Sequence, residues 1–268
     1  FNDYSDDKKL ILFGSGRFTE RFLFEFAGDY SIYSIVDNNS AKWGTTMAGI
    51  PVNSPDILRE IPESERHIII CIKGYNGVVN QLKDMGITDY HIYDPGNDYP
   101  NKSKEHVAQS LAQTGDSGLK ESDIDKPYNV GYIAGVFDLF HVGHLNMFKR
   151  AKEQCRYLIV GVVSDEGVRL NKQAEPFVPF EERIEMVRSC RYVDEAVKLP
   201  LNFAGTRDMF KKYHFDVQFS GSDYEHDPAW LSEKEFLEKN GATMVFFPYT
   251  QSTSSTKLKK AIEGRINN

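Results

Sequence analysis

The stretch GVFDLFHVGH at residues 135–144 sets the architecture of the second half of the chain. It follows the apolar run 130–134, which predicts a buried strand, and it leads into residues 143–153, whose apolar spacing predicts a helix. A strand, a turn and a helix in this order begin a β/α series that continues to the end of the sequence. Strands that alternate with helices predict a parallel sheet covered by helices on both faces.

Two histidines in this stretch, His141 and His144, lie at the predicted start of the helix. At this spacing both rings can face one anion, and the amides of the first helical turn add donors and the positive end of the helix dipole. Gly143 has no Cβ and lets the backbone approach a phosphate closely. Such fixed donors suit nucleotidyl transfer, because negative charge grows at the α-phosphate. The same spacing is compatible with helix packing, or with a zinc site for which no third ligand is obvious.

Apolar and amphipathic stretches alternate along both halves of the chain. In the first half we predict strands at residues 9–13, 31–37, 67–72 and 91–93, and helices at 19–26, 54–60 and 77–85. In the second half we predict further strands at 157–163, 195–198, 217–220 and 243–247, and helices at 180–188, 206–213, 231–239 and 255–262. Residues 96–127 are polar and predict a linker, in which 104–113 is compatible with a helix.

Composition and charge narrow the class of protein. A chain of 268 residues fits two domains. Its net charge of -7 argues against a general binder of nucleic acid or anionic membranes, although a few local cations suffice for a nucleotide substrate. The three cysteines have no paired spacing, which fits a reducing compartment. The apolar runs are too short to span a bilayer and no signal-peptide pattern opens the sequence, so we expect a cytoplasmic protein without membrane insertion.

The stretch at 135–144 closely resembles the GxFDxxHxGH signature of the cytidylyltransferases, a branch of the HxGH nucleotidyltransferases. The resemblance covers residues 128–265, and the sequence is most similar to glycerol-3-phosphate and ethanolamine-phosphate cytidylyltransferases. It implies a Rossmann-like domain with a five-stranded parallel sheet, paired as a homodimer. It also implies that His141 and His144 stabilise the transition state. The nucleotide-binding residues that it implies in this stretch are Gly135, Val136, Phe137 and Gly143.

Two further stretches carry the resemblance. RYVDE at 191–195 is similar to a family stretch that holds the phosphates and cytosine of CTP and lies near the dimer interface, which implies such roles for Arg191 and Asp194. A surface salt bridge of Arg191 with Asp194 or Glu195 is the alternative. YTQSTSSTKL at 249–258 aligns with the family's RTEGISTTKI, and its hydroxyl groups and backbone amides are candidate phosphate ligands. The candidates are Thr250, Ser254, Ser255 and Thr256, with an ordinary helix cap as the alternative.

This second stretch also departs from the family pattern. Tyr249 stands where the family has Arg, which removes one cation from the pyrophosphate or acceptor region. The resemblance therefore leaves the acceptor open.

Four further residues complete the predicted site. Lys172 lies in the predicted loop LNKQAEPFVPF, where the glycerol-phosphate enzymes carry lysines that contact phosphates, and we expect it to steady the departing pyrophosphate with Arg191. Arg183 matches a family Arg and is expected to contact a phosphate, that of the acceptor, or to anchor a loop. Asp138 is expected to bind the acceptor or to orient the site, and Asp223, in FSGSDY, to bind the acceptor or a metal. Mg²⁺ is expected with CTP, without a protein cage of its own.

The first half carries its own glycine turn. Gly14 and Gly16 follow a predicted strand, Thr19 stands where a dinucleotide fingerprint has its third glycine, and Asp37 ends the second strand. The segment resembles small nucleotide-binding domains attached to bacterial surface-sugar enzymes and is similar to a truncated NAD-binding domain. We expect a binding, regulatory or assembly role with a nucleotide or NAD as ligand; packing without a ligand is the alternative.

The predicted fold class is therefore α/β, with two Rossmann-like parallel-sheet domains at 1–95 and 128–268 joined by a polar linker at 96–127. The leading hypothesis is that the second domain transfers CMP from CTP to a small phosphorylated alcohol, first of all glycerol phosphate. The product would be CDP-glycerol, used for a capsule, a teichoic-acid-like polymer or a lipid headgroup. The alternatives are an adenylyltransferase, a nucleotide-binding regulatory protein without turnover, and a reductase that uses the first domain.

Overall fold

The computed structural model describes residues 7–97, 99–117, 126–199, 205–248 and 255–266. The chain divides into two compact units, Phe1–Lys102 and Ser103–Asn268. Each unit is built on its own sheet of mainly parallel strands, which confirms the predicted α/β fold class. In the part of the chain that the structure describes, no helix combines the length and the apolar character needed to cross a membrane.

The first unit has a sheet in the order β3-β4-β2-β1-β5-β6, in which β3 is antiparallel to β4 and the other pairs are parallel. Its strands are β1 (Lys9–Phe13), β2 (Ile32–Val36), β3 (Thr46–Met47), β4 (Ile50–Asn53), β5 (Arg66–Ile70) and β6 (His91–Ile92). Its helices are α1 (Arg17–Phe26), α2 (Ile57–Glu60) and α3 (Asn76–Asp84). The β1 side chains alternate between two apolar clusters, one against α1 and one against α3, so both faces of the strand are buried.

Two local features of the first unit differ from prediction. The helix predicted from Ser54 begins at Ile57, because the Ser54 hydroxyl accepts the N–H of Asp56 and closes a turn instead of capping a longer helix. Strands β3 and β4 form a hairpin that the sequence analysis missed. Both central turn residues, Ala48 and Gly49, have positive φ, which suits a tight hairpin turn.

The second unit has a parallel sheet in the order β11-β10-β7-β8-β9. Its strands are β7 (Tyr128–Gly135), β8 (Cys155–Val163), β9 (Glu195–Leu199), β10 (Val217–Gly221) and β11 (Thr243–Phe247). The helices from residue 142 onward are α5 (Val142–Gln154), α6 (Asp165–Lys172), α7 (Phe180–Arg188), α8 (Thr206–Tyr213), α9 (Pro228–Lys239) and α10 (Ser255–Ile266). This arrangement matches the five-stranded sheet that the family resemblance implies.

The strand order places a topological switch point between β7 and β10. From β7 the chain proceeds through β8 to β9 on one side, and it then returns to β10 and β11 on the other side. In open α/β sheets, ligands bind outside the carboxyl ends of the strands at such a point. The loop after β7, which carries both histidines, lies at this point.

Helix α4 (Lys102–Ser117) occupies part of the predicted linker. Ser103 and Ser110 of this helix hydrogen-bond to Tyr213 and Tyr157. Both tyrosine hydroxyls also donate to the carboxylate of Glu195, at 2.7 and 3.2 Å. The helix is therefore attached by hydrogen bonds to the second unit where β9 begins.

Candidate active site

The loop between β7 and α5 has an unusual backbone. Phe137 and Leu139 have φ angles of 54° and 49°, in the left-handed region that non-glycine residues rarely adopt. Gly135 makes this path feasible, because a Cβ at that position would lie 2.7 Å from the ring of Phe137. Such conformations persist where surrounding packing enforces them, and they cluster at functional sites.

His141 is the N-cap of α5. Its Nδ1 accepts the backbone N–H of Gly143 at 3.0 Å. In a neutral imidazole one nitrogen donates and the other accepts, so this contact assigns the proton to Nε2. Nε2 lies 3.2 Å from the Oγ of Ser255, whose hydroxyl lies 2.9 Å from the carbonyl oxygen of Asp138. A hydroxyl that donates to this carbonyl can accept the proton of Nε2, so the contacts form one directed chain.

His144 stacks on His141, with ring centroids 4.0 Å apart. The rings of Phe137 and Phe140 contact His144 at centroid distances of 5.3 and 5.4 Å. Burial, with a smaller contribution from the charge of His141, lowers the pKa of His144 to about 3. Burial also lowers the pKa of His141. Near neutral pH both rings are therefore uncharged in the ligand-free protein, and they act on an anion as hydrogen-bond donors rather than as cations.

Protonation of His144 predicts a loss of stability in acid. The unfolded chain binds this proton near pH 6.5 and the folded chain near pH 3, so stability falls as the pH is lowered between these values. For this group alone, the loss between pH 7.5 and pH 5 is about 2 kcal/mol. Urea unfolding at both pH values measures it, in a Trp43→Phe background where Trp230 reports on the second unit. His144→Gln should flatten this dependence, and an equal pH dependence in both proteins would contradict the assignment.

Asp138 is buried, and its carboxylate contacts this chain rather than open solvent. It accepts the backbone N–H groups of Phe177 and Val178, both at 3.0 Å, and it pairs with Lys259 at 2.7 Å. Burial alone would raise the pKa of Asp138, but these hydrogen bonds and the lysine charge lower it below its usual value. The carboxylate thus fixes the segment before α7 and helix α10, which fits the predicted role of orienting the site, and acceptor binding by Asp138 stays a prediction.

Arg183 is 1% exposed and is held by four acceptors. Its guanidinium donates to the carbonyl oxygens of Val136, Val163 and Val178 and to the carboxylate of Asp165. These acceptors lie at and just beyond the carboxyl ends of β7 and β8 and immediately before α7. Of the two predicted roles, these contacts fit loop anchoring, and direct contact of Arg183 with the acceptor phosphate stays a prediction.

Arg191 and Asp194 lie at the amino ends of the strands, whereas the histidine loop lies at their carboxyl ends. Asp194 accepts the N–H of Leu158 and pairs with Lys152 at 2.5 Å. Leu158 is level with Gly131 of β7, four residues before Gly135, which places Asp194 roughly 13 Å from the histidine loop at about 3.3 Å per residue. This placement separates Arg191 and Asp194 from the histidine loop of the same chain, and their predicted contacts with CTP stay a prediction. Asp194 forms a salt bridge, but its partner is Lys152 of α5 and not Arg191, as the alternative had it.

The remaining predicted residues differ in their placement. Lys172 is the last residue of α6, so the loop predicted from Leu170 begins three residues later, at Gln173, and the Lys172 side chain is exposed. Asp223 is exposed in a short 3-10 helix after β10, beyond the carboxyl ends of the strands, as are the histidines. Thr250 and Ser254 lie outside the described residues. Thr256 lies in the first turn of α10, next to Ser255.

A mainly apolar cavity of about 390 Å³ adjoins the histidines. Phe137 and Phe140, which contact the ring of His144, form part of its wall. Helix α10 contributes Leu258 and Ile262 to another part.

Lys259 is the site residue that sequence analysis missed. It stands in the lysine-rich run KLKK, where nothing distinguishes it from its neighbours. Its spacing of four residues from Ser255 was the available signal, because residues so spaced share one helix face.

In the first unit, the predicted ligand residues Gly14 and Asp37 contact neighbouring residues of the chain. Gly14 has φ +103°, and a Cβ there would lie 2.5 Å from the side chain of Ile72. Thr19, where the fingerprint expects glycine, is buried and donates to the carbonyl of Gly14 at 2.6 Å. Asp37 accepts the N–H and hydroxyl of Ser15 and the ammonium of Lys42. These contacts explain why Gly14 and Asp37 suit the turn, and nucleotide or NAD binding there stays a prediction.

Comparison with known proteins shows which proteins the second unit is similar to. Residues 132–261 match the family model described as cytidylyltransferase-like. The chain is 39% identical over 135 residues to the FAD synthase of Thermococcus kodakarensis, over 49% of this chain and 87% of that protein. It is 33% identical over 130 residues to the glycerol-3-phosphate cytidylyltransferase of Bacillus subtilis, over 48% and 94%. It is 44% identical over 93 residues to the ethanolamine-phosphate cytidylyltransferase of Dictyostelium discoideum, over 34% and 26%.

Two stacked, neutral histidines lie at the start of a helix, at the switch point of a parallel sheet. Together with the likenesses to known proteins, this arrangement identifies the second unit as a nucleotidyltransferase. The chain belongs to the cytidylyltransferase-like family, which confirms the predicted family. Among the described residues, no group of three or more His, Cys, Asp or Glu side chains is placed to hold a metal ion.

Proposed function

We propose that the second unit transfers a nucleoside monophosphate from a nucleoside triphosphate to the phosphate of a small organic acceptor, releasing pyrophosphate. The pair of histidines at the start of α5 carries this proposal. Their rings are 4.0 Å apart and uncharged near neutral pH, and the amide groups of the first turn of α5 lie beside them. Together these groups provide fixed donors for one phosphate.

In the proposed reaction, an oxygen of the acceptor phosphate attacks the α-phosphorus and the bond to the pyrophosphate breaks in line. One P–O bond forms and one breaks, so the chain supplies no covalent nucleophile. The Nε2–H of His141, which lies 3.2 Å from the Ser255 hydroxyl in the ligand-free protein, would be shared with an α-phosphate oxygen when the nucleotide binds. Together with the ring of His144 it would stabilise the charge that develops there. Mg²⁺, bound chiefly by the triphosphate and water, would neutralise part of the triphosphate charge. Exposed Asp223 is the carboxylate that would approach it, and Lys172 would contact the leaving pyrophosphate.

The first choice of substrates is CTP and glycerol phosphate, which would give CDP-glycerol. The likenesses to a glycerol-3-phosphate and an ethanolamine-phosphate cytidylyltransferase support this choice. The same proposal includes a role in the synthesis of a capsule or another surface polymer. It also includes a homodimeric assembly and a cytoplasmic location.

The second choice is ATP with flavin mononucleotide, which would give FAD. The likeness to an FAD synthase, at 39% identity, favours this alternative. The cavity beside His144 favours it as well, because its apolar lining suits an aromatic ring system better than a small polyol.

Pyrophosphate release with Mg²⁺ tests both choices. CTP and ATP are each offered against glycerol phosphate, ethanolamine phosphate, flavin mononucleotide and sugar phosphates. We expect release with one nucleotide and one acceptor class, because both must occupy the site for transfer to occur. ATP-dependent release with flavin mononucleotide would replace the first choice by the second. Tight nucleotide binding without release for any acceptor would contradict the proposed transfer and would favour a regulatory nucleotide-binding protein.

A further inference from the structure

Helix α10 contacts the loop after β7 through two side chains on one face. Ser255 and Lys259 are four residues apart, so they point to the same side of the helix. Ser255 Oγ lies 2.9 Å from the carbonyl oxygen of Asp138 and 3.2 Å from Nε2 of His141. Lys259 Nζ lies 2.7 Å from the carboxylate of Asp138. Both contacts are therefore made with the segment that carries the first histidine.

The ion pair of Lys259 is better shielded than an ordinary surface pair. The side chain of Asp138 is 4% exposed and that of Lys259 is 31% exposed. The same ammonium lies 5.2 Å from the centre of the Phe177 ring, and the N–H of Phe177 donates to the same carboxylate. Removing one partner of a shielded pair leaves a buried charge without its counterion, which favours rearrangement of the contacts around it.

We infer that Lys259 is a positioning residue, whose ion pair with Asp138 docks α10 so that Ser255 holds His141 in the tautomer with its proton on Nε2. The effect on rate rests on the proposed transfer of a nucleotide. The tautomer itself is a property of the free protein.

The directed chain of hydrogen bonds explains how docking acts on the ring. Gly143 donates to Nδ1 of His141, which leaves Nε2 as the protonated nitrogen. Ser255 gives its own proton to the carbonyl of Asp138 and so offers a lone pair to Nε2–H. Without docked α10, the ring loses this acceptor. The preference for one tautomer then rests on the contact with Gly143 alone.

Nitrogen-15 NMR of the histidine side chains tests this inference in the full chain. The variants are Lys259→Met and, as the matched control, Lys260→Met, which removes a neighbouring exposed lysine of the same helix. In the wild type and in the control we expect His141 with protonated Nε2 and unprotonated Nδ1. In Lys259→Met we expect a mixture of tautomers. For transfer, kcat should fall about 10- to 100-fold in that variant, because a small misplacement of a reacting group has this effect.

Two further variants separate positioning from general destabilisation. Lys259→Arg keeps a cation that can pair with Asp138, so it should restore the tautomer and most of kcat. Ser255→Ala removes the acceptor of Nε2–H without changing any charge, so it should give the same mixture as Lys259→Met. A wild-type spectrum of His141 in Lys259→Met or in Ser255→Ala would overturn the inference, and so would an equal change in Lys260→Met. Because the spectra need no substrate, absence of transfer by the wild type would count against the proposed function alone.

Discussion

Replacing His144 with alanine is expected to lower kcat/KM for nucleotidyl transfer by about 10²- to 10³-fold, the usual effect of losing one preorganised donor to a developing anion. The ring lies against His141, Phe137 and Phe140, so alanine removes a donor whose position is fixed by packing. Steady-state kinetics with the preferred nucleotide and acceptor measure the change. The dissociation constant of the nucleotide, measured by calorimetry, should change much less, because the interaction strengthens in the transition state.

His106→Ala is the matched control for this experiment. His106 is exposed on α4 and is not among the residues placed in the site, so its loss should leave kcat/KM within about twofold of the wild-type value, as expected for a surface change of a few tenths of a kcal/mol. A His144→Ala enzyme with wild-type kcat/KM would remove this residue from the mechanism. Parallel losses of kcat/KM and of folded protein would assign its effect to stability.

Replacing Arg183 with methionine is expected to destabilise the second unit by about 3–5 kcal/mol, the usual cost of breaking a buried ion pair from one side. The substitution leaves Asp165 without its strongest partner and removes the donors to three carbonyl groups. Urea unfolding in the Trp43→Phe background measures the free energy of unfolding through Trp230.

Arg188→Met provides the comparison on the same helix. Its side chain is 55% exposed and pairs with Glu185 one turn away, so its loss should change stability by less than about 0.5 kcal/mol. Equal effects of the two substitutions would show that the buried network of Arg183 does not hold the loops together.

The fold was predictable because its signals are local. Lys9–Phe13 and Cys155–Val163 are apolar runs that bury both faces, and such runs predict strands of a parallel sheet regardless of what surrounds them. Phe180–Arg188 and Thr206–Tyr213 were predicted to the residue for the same reason. The hairpin at 46–53 was missed because its strands are short and its turn conformation is not encoded by a strong dipeptide.

The site was harder to predict than the fold, because a sequence motif identifies residues but does not show whether they lie at the carboxyl or the amino ends of the strands. His141, His144 and Ser255 meet because a helix far along the sequence returns to the loop after β7. Arg191 and Asp194 belong to a matching motif, yet α7 carries the chain back to the amino ends of the strands before they occur. Likewise, the motif does not show that Arg183 and Asp138 are buried, where their side chains anchor neighbouring loops.

The fate of the α-phosphate tests the central claim most directly. The full chain is incubated with α-labelled CTP or ATP, Mg²⁺ and the acceptor that gives pyrophosphate release, and the label is followed by chromatography and mass spectrometry. We predict one labelled product, in which the nucleoside monophosphate is joined to the acceptor through a new pyrophosphate bond, in a one-to-one ratio with released pyrophosphate. Label found only as free nucleoside monophosphate, or bound covalently to the protein at the end of the reaction, would contradict direct transfer at His141 and His144.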